Sequence, residues 1–463
     1  MKNNESNKNI PKRKRIFENF FVFGIEKKNL LNEINLSDFI LTPKLLFSFP
    51  NESNLDQNIF NYFYTCCFPN GVNIKQLIIN SEEEYNNNII EKNFFLYPLT
   101  TFAFIKTSNN KYSNKYLFCI KFLDFYIFKE NKNFNVFIYE KIYLFISNEI
   151  LFHYLEILGL WFMKIKKINY LNNISNYFSL FNEKNLNDFI MGNDEKNNKE
   201  IINLLEYCIN NCYSKTILYL NKRILGIEIN DINNKNESYL CWIIKKIIWF
   251  YNSDIFFKIL IMILLEQNII FYGNDIELIT FSSLLFSNII FPFKWEFSLI
   301  PNLPLNNIDL LQSPSPFIVG LLINEKKEIK KYDEFIDKTS TNLIFIDKKK
   351  IEIVNNILKN NFNYNETLFY LNSMIEKTFW EIEDIKYEIE SEKYIKNKCE
   401  MFVNKIKESI YESIINKLKK FNNGNIKEEI KKNVINNNDS KFFIEFVDTV
   451  MFNAFIKDNN NNN

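Results

Sequence analysis

The stretch FPFKWEFSLIPNLPLNNIDLLQSPSPFIVG, which runs from Phe291 to Gly320, decides the fold of this chain. It holds five of the 10 prolines, although proline is sparse elsewhere. A proline ring fixes φ and removes a backbone donor, so ring geometry sets much of the chain path here. The apolar run IFFKILIMILLEQNIIFYG (Ile255–Gly273) lies just upstream. The two segments together indicate a buried helix and strand, followed by a stiff connector across a core surface.

Around this stretch, short apolar runs alternate with helical ones. NIIFYG (268–273), FIVGLLI (317–323) and LIFID (343–347) are typical of buried strands. Helical spacing is predicted for residues 239–252 and 254–266. Such alternation is typical of an α/β layer.

The N-terminal third carries the clearest β-strand signal. A strand with alternating burial is predicted from Ile16, in IFENFFVFGIE. Residues 94–147 contain three aromatic and β-branched segments that are bounded by turn residues, FFLYPLTTFAFIK, YLFCIKFLDFYIF and NVFIYEKIYLFIS. From Asn148 the apolar spacing becomes helical, which predicts a helix after the last strand.

The C-terminal quarter is charged and helical. Its apolar residues recur at an irregular helical spacing, which favours amphipathic helices packed on the preceding domain over a coiled coil. A last helix is predicted over 442–456. Four polar segments are predicted to be solvated: a disordered basic tail over 1–15 that ends in Lys12–Arg15, Asn-rich insertions near 182–200 and 229–237, and an Asn tail over 459–463.

Composition excludes several classes of function. Lys+Arg 56 against Asp+Glu 55 gives a formal charge of +1, so no global field steers the chain to nucleic acid. The 8 glycines are widely spaced, whereas a phosphate-binding loop needs two or three within about six residues. Neither a P-loop nor a dinucleotide fingerprint can be written on this chain. We therefore predict no nucleotide cofactor.

Covalent and metal chemistry are also disfavoured. The single histidine, His153, lies in an aromatic helical run, so a packed or half-exposed side chain is expected rather than a catalytic base. Cys208 and Cys212 share a helix face, but one histidine is too few to favour a zinc site. We predict no catalytic, cofactor-binding or metal-ligating residue.

The cysteines and the apolar runs bear on the compartment. The 7 cysteines form no closely spaced framework, and the N-terminus has no apolar core, so the reducing cytosol is expected. No segment reaches the ~20 uncharged apolar residues of a membrane span.

Taken together, the motifs resemble a known family. ILLEQNIIFYGNDIELITFSSLLFSNIIFPFKWEFSLIPNLP, LLQSPSPFIVG and IFID are similar to the central part of a DENN domain, a family of exchange factors for Rab GTPases. IFENFFVFGIE, LFSFP and CFPNGV resemble its upstream part, and FVDTVMFNAFI resembles the closing helix of its downstream part. The positions that carry the resemblance are Phe17, Phe20, Gly24, Pro50, Pro69, Glu266, Pro292, Trp295, Pro301, Pro304, Pro314, Pro316, Gly320, Asp347 and Phe452.

The resemblance implies an α/β fold in three parts. A longin-like upstream lobe would span 16–135, a central α/β lobe 136–347 and a helical downstream region 348–458. Most signature positions are expected to shape these parts, Trp295 as a core residue and the Glu266–Gln267 pair by satisfying backbone groups near the sheet.

The resemblance also implies a function. The chain would be a guanine-nucleotide exchange factor that promotes GDP release by binding the switch regions of a Rab GTPase, in membrane traffic. Within the signature, Lys294 and Asp309 are candidate contacts because they are charged. The protein would be cytoplasmic, recruited to endomembranes by partners. The alternative is a DENN-fold scaffold or GTPase-binding adaptor that does not accelerate exchange.

Overall fold

The computed structural model describes the chain in a series of ranges. These are residues 15–26, 29, 38–50, 63–68, 71–79, 84, 98–106, 115–130, 133–166, 190–191, 199–210, 235–323, 326–347, 350–353, 366–382, 392–416 and 440–461. Contacts between residues divide the chain into two compact units. The first comprises residues 1–101 and 106–233, and the second comprises 102–105 and 234–463.

The larger sheet has eight strands and lies mainly in the first unit. Its strands are β1 (Asn19–Gly24), β2 (Asp38–Leu41), β3 (Lys44–Phe49), β4 (Val72–Ile79), β5 (Pro98–Lys106), β6 (Lys115–Glu130), β7 (Asn133–Ser147) and β8 (Ile190–Met191). The long strand β7 is central, because it pairs with β6 along its whole length and with both β4 and β1. Aromatic and β-branched residues dominate these strands, as expected for a sheet that is buried on both faces.

Different helical elements pack on the two faces of this sheet. Helix α1 (152–166) packs on one face, where Phe162 lies 5.3 Å from Phe20 between ring centroids. A helical turn over 63–67 packs on the other face, where the Phe63 ring lies 6.3 Å from that of Phe21. Neighbouring β1 residues therefore point into opposite cores, as the two-residue period of a strand requires.

A buried ionic cluster joins α1 to the sheet. Asp124 on β6 accepts hydrogen bonds from Lys141 on β7, at 3.0 Å, and from Lys166 on α1. All three side chains are almost fully shielded from solvent. Because removing one partner would leave a buried charge uncompensated, this cluster constrains the register of β6, β7 and α1.

One further helix of the first unit is amphipathic. Helix α2 (Lys199–Asn210) buries Ile201, Leu204, Leu205 and Cys208, which recur at three- and four-residue spacing.

The second unit contains a five-stranded mixed sheet in the order β10-β11-β9-β12-β13. Its strands are β9 (Asn268–Gly273), β10 (Ser298–Ile300), β11 (Phe317–Leu322), β12 (Thr341–Asp347) and β13 (Lys350–Ile353). The first four strands in this order pair in parallel and β13 pairs antiparallel to β12. The predicted α/β fold class is confirmed.

Helices cover one face of this sheet and 3₁₀ segments cover the other. The helices are α3 (Lys235–Ile247), α4 (Ser253–Leu264) and α5 (Ile276–Asn288), and α4 and α5 pack against β9. On the opposite face, Ile270, Val319 and Leu343 join a core that the 3₁₀ segments Leu305–Gln312 and Lys326–Tyr332 complete.

Among the described residues of the C-terminal part, four further helices follow: α6 (Glu366–Glu381), α7 (Glu392–Ile410), α8 (Ser440–Val447) and α9 (Val450–Asn461). Helix α7 continues into a π-helical turn, Tyr411–Ile415. Phe379 on α6 and Phe402 on α7 lie 5.4 and 5.7 Å from Phe256 on α4, between ring centroids. Helices α6 and α7 therefore pack on α4 within the second unit.

The predicted segment boundaries and the contact-defined units do not coincide. The boundary predicted between 135 and 136 falls inside β7, whereas the units divide at 233 and 234. Most of the predicted insertions and of the basic tail lie outside the described residues. Helix α9 extends to Asn461, into the segment predicted as a tail from 459. The assignment to upstream, central and downstream parts stays a prediction.

Candidate functional site

The proline-rich signature segment begins where α5 ends. The Asp275 side chain starts α5 by accepting from the backbone N–H groups of Glu277 and Leu278, at 3.0 and 3.3 Å. After α5 the chain turns through a cis Phe291–Pro292 bond. Phe293 is then buried, with its ring 5.1 Å from Phe446 on α8. The start of the signature segment is thus packed on the C-terminal helices.

Trp295 differs from its predicted role as a core residue. Its side chain is only partly buried, and its ring lies 5.8 Å from that of Phe297. The indole Nε1–H donates to the carbonyl oxygen of Ser298 at 3.2 Å. The Trp295 side chain thus bridges the bend that leads into β10, with one side open to solvent.

Gly320 and the Ile-Pro-Asn-Leu-Pro segment meet by close backbone approach. The backbone N–H of Leu303 donates to the Gly320 carbonyl oxygen at 2.7 Å. A Cβ atom at Gly320 would lie 1.9 Å from the carbonyl oxygen of Pro301. Only glycine fits there, and the buried prolines Pro301 and Pro304 fix φ in the facing segment that follows β10.

The second pair of prolines occupies the entry to β11. Pro314 is exposed and Pro316 is partly buried, immediately before the buried Phe317. These two residues lie at the surface end of the signature segment, whereas Pro301 and Pro304 lie in its interior.

Glu266, which lies just after α4, connects the end of that helix to α9. Its carboxylate accepts hydrogen bonds from the backbone N–H groups of Val450 and Met451, at 2.9 and 2.6 Å. The hydroxyl of Thr449 accepts from the next donor, Phe452, at 3.2 Å. The first three N–H groups of α9 are therefore capped, which a helix start requires.

The conformation of Glu266 is itself unusual. Its φ is 52°, a left-handed value that is rare for residues with a side chain. The adjacent Gln267 accepts a hydrogen bond from the amide of Asn342, at 2.9 Å, at the start of β12. The pair therefore does satisfy polar groups at this end of the sheet, but the backbone groups that Glu266 satisfies belong to α9.

The remaining signature positions are distributed over both units. Phe17 and Phe20 are fully buried in the first unit, and Gly24 ends β1. Pro50 follows a second cis bond, Phe49–Pro50. Asp347 ends β12, and Phe452 is buried on α9 with its ring 5.5 Å from that of Phe446. Pro69 lies outside the described residues.

The two charged candidates for partner contact are both exposed. Lys294 lies between Phe293 and Trp295, and Asp309 lies in the 3₁₀ segment Leu305–Gln312. Sequence reasoning missed two exposed apolar neighbours, Phe291 (57% exposed) and Leu310 (46% exposed). No sequence signal marks them, because an aromatic or leucine residue in an apolar run reads equally well as core.

His153 and Cys208, the residues considered for catalytic or zinc chemistry, both lie on helices of the first unit. Among the described residues no group of three His, Cys, Asp or Glu side chains could hold a metal ion. His153 is half-buried on α1, with its ring 3.9 Å from that of Tyr154. Burial raises the pKa of the Cys208 thiol to about 12, and Cys212 lies outside the described ranges.

The described part of the chain has no helix of the length and apolarity that a membrane span requires.

Comparisons with known proteins agree with this placement of the signature. Residues 243–348 match the family model described as the DENN (AEX-3) domain. DENN domain-containing protein 2B of Mus musculus is 33% identical over 73 residues, which cover 16% of this chain and 6% of that protein. DENN domain-containing protein 2C of Mus musculus is 35% identical over 60 residues, covering 13% and 7%. DENN domain-containing protein 2A of Homo sapiens is 35% identical over 60 residues, covering 13% and 6%.

These matches define the class of the central segment. Residues 243–348, which hold the prolines from Pro292 to Pro316, Gly320 and four strands of the α/β layer, are similar to a DENN domain. The resemblance that the motifs indicated is therefore confirmed for this segment. The chain aligns with only 6 to 7% of the length of these relatives, so their whole-protein properties do not transfer directly.

Proposed function

We propose that this chain is a guanine-nucleotide exchange factor for a Rab-family small GTPase. The observation that carries the proposal is the DENN domain over residues 243–348, a family known for Rab exchange factors. The packing of that segment supports it, because the signature residues Pro301, Gly320 and Glu266 occupy tightly constrained positions in the second unit. An intact scaffold of this kind can present a defined surface to a GTPase.

The reaction needs no catalytic side chain on this chain. An exchange factor binds best to the state of the GTPase whose switch loops no longer hold Mg²⁺ and phosphate. By linkage, the factor and the nucleotide weaken each other's binding by the same factor. Each 1.4 kcal/mol or so removed from the release barrier speeds GDP loss about tenfold, and a millionfold effect needs about 8 kcal/mol. An interface of roughly 1,600 Å² can supply that energy.

Within this proposal, exposed signature residues are assigned to the GTPase contact. Lys294 and Asp309 are charged and exposed, so their partners would be a carboxylate and a cation on the GTPase. Leu310 is adjacent to Asp309 and adds exposed apolar area that a partner could bury. We further propose a cytoplasmic protein that partners recruit to endomembranes.

The alternative function is a DENN-fold adaptor that binds a GTPase without accelerating exchange. The same fold and the same exposed residues would serve it, since binding alone requires no preference for the nucleotide-free state. The central segment retains the prolines and Gly320 of the family signature, which favours the exchange factor over the adaptor.

Binding measurements separate the two functions. Affinity of this protein should be determined for each Rab in its GDP-bound and nucleotide-free forms. An exchange factor must bind the nucleotide-free form more tightly, by the same factor by which it weakens nucleotide binding. Equal affinity for the two forms would establish the adaptor, and no binding to any Rab would reject both functions.

A further inference from the structure

The first unit contains a pair of cysteines that is separate from the DENN segment. Cys67 lies at the end of the helical turn 63–67, and Cys119 lies on β6. Their sulfur atoms are 3.8 Å apart, although 52 residues separate them along the chain. Both side chains are buried, at 2% and 0% exposure. Both are free thiols in this structure.

The fold brings these thiols together on one face of the sheet. Because strand residues alternate, Cys119 and Lys121 share the face of β6 opposite to Phe118, whose ring stacks on Phe152 of α1. Lys121 lies 5.6 Å from the ring of Phe68, the residue that follows Cys67. A second contact therefore places the turn over the same stretch of β6.

The turn is also fixed to the neighbouring strands. The Tyr64 ring lies 5.4 Å from that of Phe23 on β1, and the Tyr64 hydroxyl accepts from the backbone N–H of Leu45 at 3.0 Å. With the turn fixed at these points, the Cys67 side chain is kept close to Cys119. A disulfide has a sulfur separation of about 2.05 Å, so closure needs a movement of about 1.8 Å in total, within the reach of side-chain rotation and small backbone adjustment.

We propose that Cys67 and Cys119 form a reversible disulfide that links the helical turn to β6. Oxidation removes two hydrogens and two electrons from the thiols and joins the two sulfurs. A small-molecule disulfide is the oxidant: when the turn opens locally, one cysteine thiolate attacks it and expels a small-molecule thiolate, and the second cysteine then displaces the remaining half. The products are the protein disulfide and two small-molecule thiols.

The surroundings make this oxidation slow in the folded protein. Burial, followed by the neighbouring Cys67, raises the pKa of the Cys119 thiol well above its usual range. The Cys119 thiolate is therefore scarce at neutral pH, and the rate should rise with pH. A pair with these properties responds to sustained oxidation rather than to brief exposure.

The test is oxidation of the full-length folded protein with oxidised glutathione, followed by tryptic mapping without reduction. Cys119 falls in the peptide Tyr116–Lys121, and Cys67 falls in a separate peptide that begins after Lys44. The expected product joins these two peptides, and dithiothreitol releases them. Cys66→Ser is the matched control, since it removes the neighbouring thiol and should leave the linkage in place.

Formation of the Cys67–Cys119 disulfide should also raise the thermal stability of the protein. Closing a loop restricts the unfolded chain, so the oxidised protein should melt several degrees higher than the reduced protein, with the rise absent in Cys67→Ser. A linked product that persists in Cys67→Ser, or a disulfide between Cys66 and Cys67, would overturn the pairing. Free thiols at Cys67 and Cys119 after oxidation at pH 9, with each variant folded by circular dichroism, would overturn the proposal.

Discussion

The carboxylate of Glu266 caps the last helix, accepting from the backbone N–H of Met451 at 2.6 Å across 185 residues of sequence. Glu266 follows the end of α4, so its carboxylate ties the DENN-like segment directly to the N-terminus of α9. Truncation of the Glu266 side chain should therefore destabilise α9, a helix that is remote in sequence.

Glu266→Ala should loosen the N-terminus of α9. Helix caps contribute about 1–2 kcal/mol, and the negative charge adds to this at a helix N-terminus. Hydrogen exchange of the Val450, Met451 and Phe452 amides should accelerate roughly 5- to 30-fold. Glu296→Ala, at an exposed glutamate of the same unit, is the control and should leave these rates unchanged. Unaltered protection in Glu266→Ala would show that the cap adds no stability.

A second, independent prediction follows from the left-handed backbone conformation of Glu266. Glu266→Gly and Glu266→Ala both remove the carboxylate, but only alanine retains the cost of a Cβ at a φ of 52°. That cost is about 1–2 kcal/mol, and the greater freedom of glycine in the unfolded chain offsets about half of it. Chemical denaturation should therefore find Glu266→Gly more stable than Glu266→Ala by about 0.5–1 kcal/mol. The reverse order would contradict the left-handed assignment.

Gly320→Ala should be strongly destabilising. The added Cβ would lie 1.9 Å from the Pro301 carbonyl oxygen, and backbone atoms cannot move aside without separating β10 from β11. A loss of about 3 kcal/mol or more is expected in chemical denaturation. Gly24→Ala is the comparison, because its nearest contact is the flexible Leu46 side chain at 3.0 Å. Equal losses in the two variants would argue against the close approach.

We expect the buried Cys399 thiol to lower the stability of the folded protein at alkaline pH. Burial raises the pKa of this thiol from 9.0 to about 12. The folded state therefore keeps its proton where the unfolded chain has lost it, and the stabilisation present below pH 9 declines as the pH rises from 9 to 12. Comparison of Cys399→Ser with the parent protein should show a smaller decline in the variant. Rapid alkylation of Cys399 in the native protein at pH 8 would contradict its burial.

The strands of the DENN segment could be predicted because their apolar runs end at strong signals. NIIFYG ends at Gly273, and FIVGLLI follows Pro316, so β9 and β11 lie where the sequence placed them. Local composition is sufficient when a strand is buried on both faces and its ends are marked by residues with restricted or unusual backbone geometry.

Relationships between distant residues could not be predicted in the same way. Glu266 reads as a polar helix end, and nothing local shows that its partners are Val450 and Met451. The pairing of β7 with β1, β4 and β6 is likewise set by tertiary contacts that no local pattern shows. The partial exposure of Trp295 likewise depends on what packs beside it.

The most direct test of the proposed function is the release of fluorescent GDP from a panel of Rab GTPases, with and without this protein. We predict strong acceleration for one or two members, and a reduced rate for Asp309→Lys and Lys294→Glu with folding retained. Absence of acceleration for every Rab in the panel, with the protein folded, would contradict the exchange function.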